Sequence, residues 1–273
     1  MRRRRRWVFS RSPGCCARMP SGTGATAGTW PIISPTSRPP VVAAAGGDPH
    51  KPRDAMPTHV ALTIACFVAV AALLVADWRG LAAGRAVAKL AASTCFVLVA
   101  VTLGALAFTY GRWIIGALVL GWLGDAFLLS RAPKAFMAGL AAFLLSHVLY
   151  AAAFASGPLS MPALAVAAVL ALAFGAGVLR WLWPHTPGNF KLPVIAYVVV
   201  ILGMCVMAAG HAHASGHWAV LAGALLFTAS DMSVARDRFV EQSWFNRLWG
   251  WPTYFTAQLV LAWTVVNPTG GTP

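Results

Sequence analysis

The 273-residue chain is 59% hydrophobic and only 10% charged, whereas soluble domains carry about 25% charged residues. So few charges cannot solvate a globular surface, and the apolar residues come in long runs of roughly 18 or more, enough to cross a ~30 Å hydrocarbon core. The formal charge of +14 does not imply nucleic acid: residues 1–55 supply +8 of it and residues 56–273 supply +6, and no basic folded face with base-reading or stacking groups is evident.

In chain order, residues 1–55 open on an arginine run at 2–6 and continue rich in Pro, Gly and Ser. They lack hydrophobic periodicity and read as a disordered basic extension. With no apolar h-region they make a poor signal peptide. From Met56 onward, hydropathy predicts an all-α, polytopic transmembrane bundle. Its eight spans lie at roughly 58–76, 89–108, 113–129, 135–154, 162–181, 193–209, 218–234 and 252–266. Trp78, Trp113, Trp181, Trp183, Trp218, Trp249 and Trp251 fall near span ends, as interfacial belts do. Cys66, Cys95 and Cys205 lie within apolar runs, where cysteine acts as a small hydrophobe. With Cys15 and Cys16 they show no metal-ligand spacing, so no metal or cofactor is expected.

Loop charge is uneven. The first, third, fifth and seventh loops carry ten cations: Arg79, Arg85, Lys89, Arg131, Lys134, Arg180, Lys191, Arg236, Arg238 and Arg247. The even loops carry only Arg112. The positive-inside rule puts the odd loops in the cytoplasm and both ends of the 56–273 domain outside a cell membrane. The arginine run at 2–6 conflicts with an outside N-terminus, and a start at Met56 removes the conflict.

Five acids follow Met56. Asp77 ends the first span, and Asp237 and Glu241 sit in the basic seventh loop, where water can reach them. Asp125 and Asp231 are flanked by apolar sequence at the inner ends of the third and seventh spans. A carboxylate at that depth costs several kcal/mol and marks a functional site by default. Lys89 opens the second span at the same end. Tyr197 and Tyr254 lie about a turn into inward-starting spans, and Gln258 shares the face of Tyr254. His147 and Tyr150 share a face of the fourth span but lie deeper. Ser230 adjoins Asp231. Against this stands a bland alternative for each: interhelical hydrogen bonding for the acids, His147, Tyr254 and Gln258, and a snorkelling anchor for Lys89. His211, His213 and His217 read as a solvated outer loop rather than a metal site.

Two carboxyls close together in a low-dielectric site resist ionising together, leaving an acid beside a carboxylate. Such a pair suits hydrolysis of an acid-labile vinyl ether. Protonation of the β-carbon gives an oxocarbenium ion that water attacks. The basic rim would attract a phosphate headgroup while the helices admit a hydrocarbon chain.

Five stretches occur in order: GWLGDAFLL at 121–129, GLAAFLLSHVLY at 139–150, KLPVIAY at 191–197, GALLFTASD at 223–231 and YFTAQ at 254–258. Together they resemble the YhhN-like lysoplasmalogenase family of integral membrane proteins, over roughly 58–266. The resemblance implies about eight spans and hydrolysis of lysoplasmalogens to a fatty aldehyde and glycerophosphoethanolamine or glycerophosphocholine. It puts Asp125 and Asp231 at the positions of the family's two acids and implies no metal. The family often has Lys-Pro where this chain has Lys89-Leu90.

Competing readings are a proton-coupled transporter with the two acids as relay, a zinc hydrolase needing three histidines at one depth, and a purely structural protein. No inverted repeat or paired broken helices support the transporter. Expected partners are the lysophospholipid and membrane lipids; oligomeric state has no signature in the sequence. Mass determination of the native N-terminus is expected to return a chain beginning at Met56; one beginning at Met1 would contradict the topology argument.

Overall fold

A computed structural model describes residues 56–266 except Arg131; the expected basic extension at 1–55 and the start at Met56 concern residues outside or at the edge of that range. Eight α-helices account for most of the described residues: α1 Thr58–Trp78, α2 Ala82–Thr102, α3 Thr109–Phe127, α4 Pro133–Ala155, α5 Met161–Leu182, α6 Gly188–Ser215, α7 Trp218–Ala235 and α8 Trp244–Trp263. No strand occurs among the described residues. Pro133 opens α4 and Pro162 stands in the first turn of α5, where a missing N–H costs nothing. The Ser243 hydroxyl caps α8 by accepting from the Phe245 N–H at 3.1 Å. Gly216, at φ 76°, ends α6 in the left-handed conformation.

Six of the eight helices are long and apolar enough to cross a membrane; α3 and α8 are the exceptions. The reason is their position. A helix against lipid must be apolar all round, and α5 is such a helix, burying only Gly175, Val178 and Leu182. The interior helix α8 packs on α7, α2, α1 and α3. It buries Asn246, Tyr254 and Gln258 among its contacts, since polar side chains are tolerated where protein supplies their partners.

Four helices, α2, α3, α6 and α8, begin four or more residues earlier than hydropathy suggests. α2 starts at Ala82, so Lys89 lies two turns inside it instead of opening it. α6 starts at Gly188 and α8 at Trp244, which leaves Pro193 and Pro252 inside helices. Hydropathy registers only the apolar core, while helical hydrogen bonding continues through the charged rim. For the same reason Tyr197 and Tyr254 sit more than two turns into their helices. At the other end, α6 runs on to Ser215 and takes in His211 and His213. His211 is buried, stacked on Tyr110, with Nδ1 3.2 Å from the Pro158 carbonyl. The histidine cluster is therefore partly packing, not a solvated loop.

Asp77 also departs from expectation. Its side chain is 3% exposed and accepts an ion pair from Arg85 at 3.2 Å and another from Arg247 at 2.9 Å. One carboxylate thereby ties the ends of α1, α2 and α8 together. Asp77→Ala is expected to destabilise the protein by about 2 kcal/mol, the scale of hydrogen bonds to charged groups. Thermal unfolding in detergent checks it, and an unchanged midpoint would show the tie is idle.

Candidate active site

Asp125 lies in the last two turns of α3 and is 1% exposed. Three donors converge on it. The Lys89 ammonium of α2 stands 3.1 Å from Oδ1. The Ser93 hydroxyl, one turn further along α2, donates to Oδ2 at 2.5 Å. The Tyr254 hydroxyl of α8 donates to the same oxygen at 2.8 Å. Behind Tyr254 the chain of bonds continues: Gln258 Nε2 donates to the Tyr254 oxygen at 3.0 Å, and the Tyr150 hydroxyl donates to Gln258 Oε1 at 2.5 Å. Four helices are joined through one carboxyl group.

Gly121 makes room for this relay. It sits one turn before Asp125 on the same helix face. A Cβ there would come within 2.5 Å of Gln258 Nε2 and 3.4 Å of the Tyr254 hydroxyl.

Asp231 has a different setting. The Tyr197 hydroxyl of α6 donates to its Oδ2 at 2.6 Å. His147 of α4 brings Nε2 to 3.6 Å from the same oxygen, beyond ordinary hydrogen-bond reach. The imidazole is fully buried, with its ring centroid 4.5 Å from that of Phe227 and 5.4 Å from that of Tyr197. Among the described residues no Lys or Arg pairs with Asp231. Its side chain is 16% exposed, against 2% for that of Asp125.

Both carboxyls border one cavity. Lys89, Tyr197, Ser230 and Tyr254 line it with them, and the rest of its wall is mostly apolar, including Phe143, Phe174, Val178, Ile201 and Leu202. His147, Tyr150 and Gln258 stand behind the wall and reach the cavity only through Asp231 and Tyr254. His147 and Tyr150, though neighbours on α4, thus serve different acids. A second, polar cavity adjoins the first; Lys89, Phe136, Arg238 and Trp251 line both. This vestibule lies at the helix ends that carry the odd loops, with Arg85, Asp77, Asp237, Asn246 and Arg247 in its wall.

The contacts that interhelical packing alone would demand are present: Asp125 meets Lys89 and Tyr254, and Asp231 meets Tyr197. Packing alone does not require both acids to open on one chamber. No hydrogen bond joins the two carboxyls among the described residues; each has its own partners. Nor do three His, Cys, Asp or Glu side chains gather as a metal-ligand set among those residues. Sequence reasoning missed Ser93, Gly121 and Arg238. Ser93 was findable, four residues after Lys89 and so on its face.

The profile of the YhhN family matches residues 84–265. Lysoplasmalogenase TMEM86B of Sus scrofa is 35% identical over 156 residues, which is 57% of this chain and 64% of that protein. Lysoplasmalogenase TMEM86A of Bos taurus is 33% identical over 160 residues, covering 56% and 65%. Lysoplasmalogenase of Mycobacterium tuberculosis is 34% identical over 157 residues, covering 55% and 59%. The chain therefore spans a little under two thirds of the length of these relatives. No solved structure matches it.

Gly121→Ala is expected to push Gln258 off Tyr254 and destabilise the protein by about 1–3 kcal/mol, the cost of overfilling a packed site. Thermal unfolding measures it; no change in midpoint would mean the relay yields freely.

Proposed function

The chain belongs to the YhhN family, and from that premise we propose that it is a multi-pass membrane enzyme hydrolysing the vinyl-ether bond of lysoplasmalogens. The products are a fatty aldehyde and a glycerophospho-alcohol. The observation that carries the reading is the unequal dress of two acids on one apolar chamber. It is supported by three similar proteins each named lysoplasmalogenase.

The partners divide the roles. An ionised carboxylate offers about four acceptor sites. Asp125 fills three of them, one with a cation, which leaves room for one water. Asp231 accepts one hydroxyl and, among the described residues, faces no Lys or Arg, which suits the member that holds a proton. Asp231 gives that proton to the β-carbon of the vinyl ether, and the double-bond electrons form the new C–H bond. The resulting oxocarbenium ion is stabilised by the Asp125 carboxylate. Water adds to the cationic carbon as Asp125 takes its proton. The hemiacetal then collapses: its hydroxyl proton returns to Asp231, the C–O bond to glycerol breaks, and the departing oxygen takes the proton from Asp125. One water is consumed and both acids are restored.

The tyrosine and glutamine relay holds the Asp125 side of the site in place, since near-attack geometry tolerates little slack. The hydrocarbon chain lies in the apolar chamber and the polar end of the lipid in the vestibule. By the positive-inside rule that vestibule faces the cytosol.

Purified protein given lysoplasmalogen is expected to release aldehyde. Asp125→Asn and Asp231→Asn should each slow release by about 10²–10⁴-fold, the usual worth of a positioned acid or base. Hydrolysis surviving both substitutions would overturn the assignment, and proton-coupled uptake without aldehyde would mean a transporter.

A further inference from the structure

After α7 the chain makes one π-helical turn, Arg236–Val240. Wide turns of this kind shift side chains out of α-helical register and recur at functional sites. Here the turn carries Arg238 to the seam between the apolar chamber and the polar vestibule, where it lines both. Its guanidinium carbon stands 4.2 Å from the centroid of the Phe136 ring. A guanidinium over a ring face is attracted by that face while its N–H donors stay available to other partners.

The other charged groups of the vestibule are engaged. Lys89 is paired with Asp125. Arg85 and Arg247 share Asp77. Asp237 accepts from the Ser243 N–H at 3.0 Å and lies 3.5 Å from Asn246 Nδ2. Arg238 makes no ion pair or hydrogen bond among the described residues. Four cationic side chains thus face two carboxylates in the vestibule wall, and one of those cations has its donors unspent.

We propose that Arg238 is the phosphate-binding residue of a headgroup subsite at this seam, with Arg85 and Arg247 adding positive charge beside it. A guanidinium presents a planar pair of donors that matches two phosphate oxygens. The ligand is the phosphodiester of a single-chain lipid, not free phosphate, because the same guanidinium borders the apolar chamber that would hold the chain. Which bond is cleaved rests on the proposed function above; the binding of a phosphate-bearing lipid does not.

The test is direct binding to the full-length protein in an uncharged detergent, with ligands that contain no vinyl ether. They are 1-oleoyl-lysophosphatidylethanolamine, 1-oleoylglycerol, which lacks the phosphate, and glycerophosphoethanolamine, which lacks the chain. The wild type is expected to prefer the lysophospholipid to oleoylglycerol. Arg238→Gln should weaken lysophospholipid binding about 10–100-fold, the scale of hydrogen bonds to a charged group, and leave oleoylglycerol binding unchanged. Arg238→Lys should recover part of the loss. Glycerophosphoethanolamine should compete weakly. A lysophospholipid preference that survives Arg238→Gln would overturn the assignment. Equal loss for both lipids would also overturn it, because the defect would then lie in packing. Competition by inorganic phosphate or glycerophosphoethanolamine as strong as by the lipid would overturn the headgroup assignment in favour of a free phosphate ligand. Because the readout is binding, absence of aldehyde release would sink the vinyl-ether reading alone.

Discussion

Lys89 of α2 reaches 3.1 Å from a carboxylate on α3 that is almost wholly closed to solvent. The rest of the site is arranged around that contact. Burying two charges is costly, and their attraction repays the cost only when further hydrogen bonds satisfy the remaining donors and acceptors. Ser93 and Tyr254 supply those bonds, and Gln258 and Tyr150 hold Tyr254 in turn. Among the described residues the ammonium has no counterpart at Asp231. In the proposed reaction, one cation placed on one acid is what gives two chemically identical side chains different work.

That arrangement dictates where apolar residues can be spared. The polar network draws on α2, α3, α4 and α8, and the two helices that fall short of a membrane-spanning composition, α3 and α8, are both among them. The most lipid-exposed helix, α5, carries no part of the relay and packs chiefly on α6. Aromatic rings fill the space between the two acids' partners: Phe227 lies 5.4 Å from Tyr254 and 4.5 Å from His147, centroid to centroid. The surroundings of both carboxyls are therefore largely apolar, and charge developing in the chamber would be less screened than in water.

Much of this was legible from residues alone. The length of the apolar runs fixes an all-α membrane protein, and two acids inside such runs stand out because hydrocarbon tolerates them so poorly. What was not legible depends on pairings between distant segments. Hydropathy cannot see that Asp77 is enclosed by Arg85 and Arg247, because Arg247 lies 170 residues away in the chain. It ends helices at charged or proline residues, so it put Lys89 at a helix mouth and Pro252 at a helix start. It left His211 in a loop because polar residues lower the local average, although stacking on Tyr110 buries that ring. Arg238 looked like one more loop cation; its place at a seam depends on a π-helical turn that no periodicity announces.

In the proposed reaction a fixed acid delivers a proton to carbon. Hydrolysis in deuterium oxide, with the aldehyde reduced as it forms to prevent exchange, tests it most directly. An acid held against one face of the double bond predicts a single deuterium at C2 of the product, in one configuration. Product carrying deuterium in both configurations equally, or none at C2, would contradict it.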